Sequence, residues 1–254
     1  MRIRALLLAL LFLSWAAMAY SDEQTSALGP RKVFLYTAKK FGIPILKASI
    51  SIEKGIPGEG KSFYQVRAEI YSVNLGFLFR MNNRFLSTME AATCIPVQYV
   101  KEIDQDGLLR AAKNYHQTLT FDASHQKVVV ERKGEKEKQE IPLPPETFDP
   151  LSMFARCYLK ENVSLYQDLR MSIYDGVKLR QMVFRPKRER VKSKLYGEVE
   201  AVCLESTTSF ASFEDREGII RIWYTNDEKK TPILMEFELP VGTVRFELDE
   251  IKEG

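Results

Sequence analysis

Apolar side chains recur at every second position through most of this chain. Near the C-terminus the alternation is clean: Val244, Phe246 and Leu248 fall on one side, Arg245, Glu247 and Asp249 on the other. A period of two, apolar on one face and charged on the other, marks a half-buried antiparallel strand. Just upstream, Ile220, Ile222 and Tyr224 share one face of a strand. Ile233, Met235, Phe237 and Leu239 share one face of the next. The polar cluster between them, Asn226 to Lys230, reads as a hairpin loop in which Asn226 and Asp227 tolerate left-handed backbone. Pro232 should open its strand, where a missing donor costs little.

The same pattern predicts strands over "RKVFLYTAKK", "IPILKASISIEK", "KSFYQVRAEIYSV", "FLFRMNNRFLSTME", "IPVQYVKEID", "LLRAAKNYHQTLTF" and "KVVVERK". A second series follows: "LRMSIYDG", "VKLRQMVFRPK", "EVEAVCLESTT" and the three C-terminal runs. Asp106-Gly107 and Asp175-Gly176 are hairpin signals. "ERKGEKEKQE" balances its charges and reads as an exposed turn. One helix interrupts the series. In "TFDPLSMFARCYLKEN", Asp149 is placed to cap and Pro150 to occupy the first helical position. Leu151, Phe154, Ala155 and Tyr158 fall at i, i+3, i+4 and i+7, an apolar stripe that should lie against the sheet and close part of its core. Strands at roughly ten-residue spacing predict an all-β, mainly antiparallel fold. The expected architecture is one curled sheet, a β-roll or half-barrel, with one helix packed on it.

The N-terminus breaks the pattern. Arg2 and Arg4 precede an apolar run from Ala5 to Ala16, and Ala17-Met18-Ala19 forms an A-x-A cleavage site. This predicts a signal peptide over residues 1–19, a flexible lead-in over 20–30 and a single β-rich domain over 31–254. No Cys follows the apolar run to accept a lipid, and no later stretch is long and apolar enough to span a bilayer. The expected location is the periplasm. Removal of Arg2 and Arg4 lowers the net charge from +3 to +1, which gives no argument for nucleic-acid binding.

Candidate chemistry is sparse. There are two histidines, His116 and His125, and no G-x-S-x-G, H-E-x-x-H or Walker loop. No cofactor or metal is implied. Three cysteines, Cys94, Cys157 and Cys203, permit at most one internal bridge and suit buried apolar positions equally well.

Several segments together resemble an exported bacterial family, domain-of-unknown-function family 3108. The closing run "IRIWYTNDEKKTPILMEFELPVGTVRFEL" is similar to its C-terminal signature, and "TFDPLSMFARCYL" to its central Asp-Pro-Leu-Ser helix. "IYDGVKLRQMVF", "LYGEVEAVCLE" and "LYTAKKFGIPILKASISI" are similar to its Asp-Gly hairpin, a Gly-containing strand and its opening strand pair. Pro44 departs from the Gly expected there. The similarity spans about residues 30 to 250. It implies a β-rich exported domain and no catalytic residues, because the family has no assigned chemistry.

Two surfaces are candidates for binding. Phe77, Phe79 and Met81 alternate, with Leu75 and Leu78 beside them, so this strand needs cover on both faces. The inner cover is either an apolar or lipid-like ligand or the helix face of Leu151, Phe154 and Tyr158. Arg185, Lys187, Arg188, Arg190, Lys192 and Lys194 stand against one acid, Glu189. They form either a surface for an anionic partner or a solvated hairpin. The sequence therefore points to a non-enzymatic envelope protein that carries an apolar ligand. The alternative is an interaction module that binds an envelope protein partner.

Overall fold

The alternating segments close into one sheet. The computed structural model describes residues 28–55, 62–73, 78–108, 112–161, 167–210, 216–240 and 242–254. The expected signal peptide, most of the lead-in, and Leu75 and Phe77 lie outside the described residues.

The first arm comprises β1 (Leu28–Lys40), β2 (Ile43–Gly55), β3 (Phe63–Ser72), β4 (Arg80–Glu90), β5 (Pro96–Asp106), β6 (Lys113–Asp122), β7 (Lys127–Arg132) and β8 (Gln139–Pro142). Next come β9 (Thr147–Phe148) and α1 (Pro150–Leu159). The second arm continues with β10 (Leu169–Tyr174), β11 (Leu179–Ser193), β12 (Gly197–Phe210), β13 (Arg216–Thr225), β14 (Pro232–Leu239) and β15 (Gly242–Glu253). Their spatial order is β8-β7-β6-β5-β4-β3-β2-β1-β15-β14-β13-β12-β11-β10-β9. The central pair, β1 and β15, joins the two ends of the domain. The two edges, β8 and β9, are consecutive in the chain. Every pairing is antiparallel except β9 with β10. The sheet is curled and unclosed, the half-barrel that the alternation predicted.

Two local expectations are corrected. The last residues of "ERKGEKEKQE" are not a turn: Gln139 and Glu140 begin β8, with Lys127 opposite Pro142 and Val130 opposite Gln139. An ion pair of 2.9 Å from Lys127 to Glu140 helps to hold this edge. In the loop after β13 the left-handed residue is Lys230, with φ +43°, not Asn226 or Asp227. Asp227 instead accepts hydrogen bonds at Oδ1 from the Lys229 and Lys230 N–H groups and the Thr225 hydroxyl. The loop remains structural.

α1 is more deeply placed than a helix lying on a sheet. Leu151, Ser152, Met153, Phe154, Ala155 and Cys157 are all buried, so protein surrounds the helix and not only its apolar stripe. It touches β3 and β4 of one arm and β9 and β10 of the other. Tyr158 meets Phe34 of β1 edge-on at 5.5 Å, and Phe154 meets Tyr224 of β13 at 6.5 Å. Phe34, Phe154 and Tyr224 are buried, and each contributes about 2 kcal/mol of apolar burial. The cap forms as predicted. Asp149 Oδ1 accepts from the N–H groups of Leu151 and Ser152, and the Ser152 hydroxyl accepts from the Asp149 N–H. Asp149 is itself fully buried, and its Oδ2 accepts from Ser87 of β4 at 2.6 Å. The cap thus also ties the helix to the sheet wall.

Candidate ligand cavity

One row of paired residues crosses the concave face from β15 to β7: Ile251, Phe34, Ile50, Ala68, Phe85, Lys101, Gln117 and Arg132. It begins apolar at the centre of the sheet and turns polar at β5. Where the row meets the N-terminal end of α1, side chains leave a cavity of about 410 Å³. Ile50, Ala68, Phe85 and Ile103 line it from the first arm. Ile222, Met235 and Phe246 line it from the second, and Leu151, Met153 and Phe154 from the helix. Its wall is overwhelmingly apolar.

Most of its polar side chains, Asn83, Lys101, Gln105 and Tyr115, come from β4 to β6; Asp175 follows β10 and Ser49 lies on β2. Lys101 is only 7 % exposed. Its ammonium donates to the Asp175 backbone carbonyl at 2.7 Å and lies 5.8 Å from the centre of the Tyr115 ring. Among the described residues no carboxylate lies within ion-pair distance of it. The Asp175 carboxylate is otherwise engaged, accepting from the Val177 and Lys178 N–H groups and from Arg180 at 2.8 Å. Burial pushes the Lys101 ammonium below the ordinary lysine range. Arg132 and Arg180 act in the same direction and Asp175 opposes them. Gln105 is 8 % exposed, and its Oε1 has no hydrogen-bond partner among the described residues. Asn83 Oδ1, by contrast, accepts from the Asp104 N–H at 3.3 Å.

Of the candidates read from sequence, Phe77 lies outside the described residues and none of the others lines the cavity. Phe79 and Met81 are half-buried and precede Asn83 and Phe85 in the same inward phase, but neither lines the cavity. Met81 stands opposite Gln105. The six cations of "RPKRERVKSK" lie along one arm of a hairpin and in its turn. Five belong to β11 and Lys194 follows it. Acids answer most of them: Arg185 is opposite Glu205, Arg190 is 3.8 Å from Glu200, and Lys192 is opposite Glu198. Lys187 pairs with Glu189 at 2.9 Å and Lys194 with Asp249 at 2.6 Å. Arg188, opposite Val202, has no acid directly across from it. His116 and His125 pair with different acids, Glu102 and Asp122.

Lys101 and Gln105 were missed. The signal was present, because Tyr99, Lys101, Ile103 and Gln105 share one phase of "YVKEIDQ" and all are buried. A second depression of about 800 Å³, beside Phe148 and Met171, is polar, and its Arg156 and Glu161 already pair with each other at 2.6 Å.

Comparison with known proteins agrees with this architecture. A family model described as a protein of unknown function, DUF3108, matches residues 33–249. No curated protein matches the sequence. A crystal structure titled as a beta-barrel-like protein of domain of unknown function DUF1849, from Brucella abortus, is similar with a TM-score of 0.55 at 11% identity. The match covers 89% of this chain and 97% of that one, and it shows a shared fold.

Proposed function

Because the chain belongs to the DUF3108 family, whose description carries no activity, we propose from its interior that it is a non-enzymatic, exported cell-envelope protein that binds an apolar or lipid-like ligand inside the curled sheet. The cavity of about 410 Å³ between sheet and helix carries this reading. Protein interiors are packed closely and leave few voids larger than a water molecule. Small-molecule sites occupy about 300–1,000 Å³ and pair an apolar wall with a few placed polar groups. Met153, Met235 and Phe85 supply side chains that adapt to a flexible apolar guest.

Native mass spectrometry on protein isolated from its own envelope tests the reading. We expect a bound lipid-like mass that is lost in Ala68→Trp, where an indole fills the cavity, while the β circular-dichroism signal is kept. Ligand-free protein that instead brings down a protein partner would overturn it in favour of an interaction module. Export rests on the N-terminal pattern, and the same spectra check it: the intact chain should begin at Tyr20. A mass that retains residues 1–19 would refute cleavage.

A further inference from the structure

We propose that the cavity selects a single-chain amphiphile with a carboxylate head, such as a fatty acid, and that Lys101 binds the head while the chain lies against Ile50, Ala68 and Phe85. This rests on the reading of the cavity as a ligand site and assigns the chemistry of its occupant.

Charge is the first argument. An ammonium 7 % exposed with one neutral acceptor is a costly group to keep in a core. It has donors to spare, since a lysine carries three N–H bonds and Lys101 uses one on Asp175. Asp175 is the neighbouring acid that favours its charge, but that carboxylate is already bound by Arg180, and Arg132 and Arg180 add to the positive field. An anion entering the cavity would supply the missing countercharge in a dry setting, where a charge-assisted hydrogen bond is strong. Gln105, four residues further along β5, has an Oε1 still without a partner among the described residues, an acceptor open to an ordered water in the cavity.

Shape is the second argument. Lys101 and Tyr115 stand where the paired row turns polar, on β5 and β6, while Ile222, Met235 and Phe246 line the cavity from the second arm, an arrangement that matches one charged head on one tail. About 410 Å³ lies near the small end of ligand sites, which favours one chain over a lipid with two or more. A single ammonium favours a monoanion over a dianionic phosphate.

The test uses the mature protein stripped of bound lipid, titrated calorimetrically with dodecanoate, dodecanol and dodecyl phosphate. We expect dodecanoate to bind about tenfold or more tightly than dodecanol. Lys101→Met should abolish that preference, keep or improve dodecanol binding, and raise the thermal midpoint of the ligand-free protein. Retained dodecanol binding also reports that the variant is folded. Equal binding of acid and alcohol by the wild type, or a preference that survives Lys101→Met, would overturn the head assignment and leave the apolar site standing. Tighter binding of dodecyl phosphate would overturn the choice of carboxylate. Failure of every probe to bind would sink the cavity reading and this inference with it.

Discussion

Replacement of Asp149 by Ala should cost far more than the loss of an ordinary helix cap. A surface N-cap contributes about 1 kcal/mol. Here the carboxylate is fully buried and also accepts from Ser87, which has no exposure of its own. Truncation strands that hydroxyl in a dry environment, a further loss of about 1–3 kcal/mol. The sum is about 3 kcal/mol, reduced somewhat because burial disfavours the ionised acid. Burial pushes the Asp149 carboxyl above its ordinary range, while Ser87 and the Ser152 and Leu151 N–H groups oppose this. A raised carboxyl pKa means that the folded state holds the proton more tightly. That contribution is present below the unfolded value and lost as pH rises through the folded one. Asp149→Asn retains the cap without the charge, so it should lose less than the Ala variant and gain on the wild type as pH rises from acid to neutral. Urea unfolding at several pH values, followed by Trp223 fluorescence, measures both effects. A loss of 1 kcal/mol or less for the Ala variant would show that the Ser87 link carries no energy. An Asn variant as unstable as Ala would refute the charge argument.

Other outcomes follow from the same packing. Gly107 has φ +137° and a Cβ there would lie 2.6 Å from the Leu78 carbonyl oxygen, so Gly107→Ala should cost about 2 kcal/mol. An unchanged urea midpoint would contradict this. Burial pushes the Cys157 and Cys203 thiols up to about 12 and lifts Cys94 as well, and all three are free. A thiol reagent at pH 8 should therefore find none in the native protein and three after unfolding, whereas one after unfolding would reveal a bridge. Arg221 links Glu205, Glu236 and Glu238 across three strands, and Arg221→Met should lose about 1 kcal/mol at low salt and much less at high salt. A loss independent of salt would point to packing instead of charge.

How legible this was depends on the range of the interaction. Strands such as β13 and β15 and the start of α1 rest on local signals, alternation in the first case and Asp149-Pro150 in the second. The structure reproduces them. β8 did not stand out because four residues inside a charged run carry too little alternation, and their pairing to β7 is decided by the tertiary register. The cavity was legible only in kind. Phe79 and Met81 share the phase of Asn83 and Phe85, but the space opens further along, at Phe85, where α1 meets the other arm. No local pattern could show that Ile50, Phe85 and Met235 face one another. Lys101 lay within reach of sequence reasoning, as a cation in the apolar phase of its strand. What hides it is that a cation on a strand ordinarily belongs to the wet face.

The position of β1 and β15 at the middle of the sheet has a consequence for how the chain is made. During synthesis the first arm can zip up hairpin by hairpin, each strand finding a partner just completed. β1 then waits with one side open until the last residues arrive, because its other partner ends at Glu253, and the Arg31 and Gly254 backbones bond to each other only then. That contact spans nearly the whole domain, so its closure bears most of the loop entropy and belongs late in folding. Until then the half-made protein presents a long unpaired strand, the kind of surface on which chains aggregate. Loss of a dozen C-terminal residues would therefore do more than shorten the sheet: it would split the sheet at its centre.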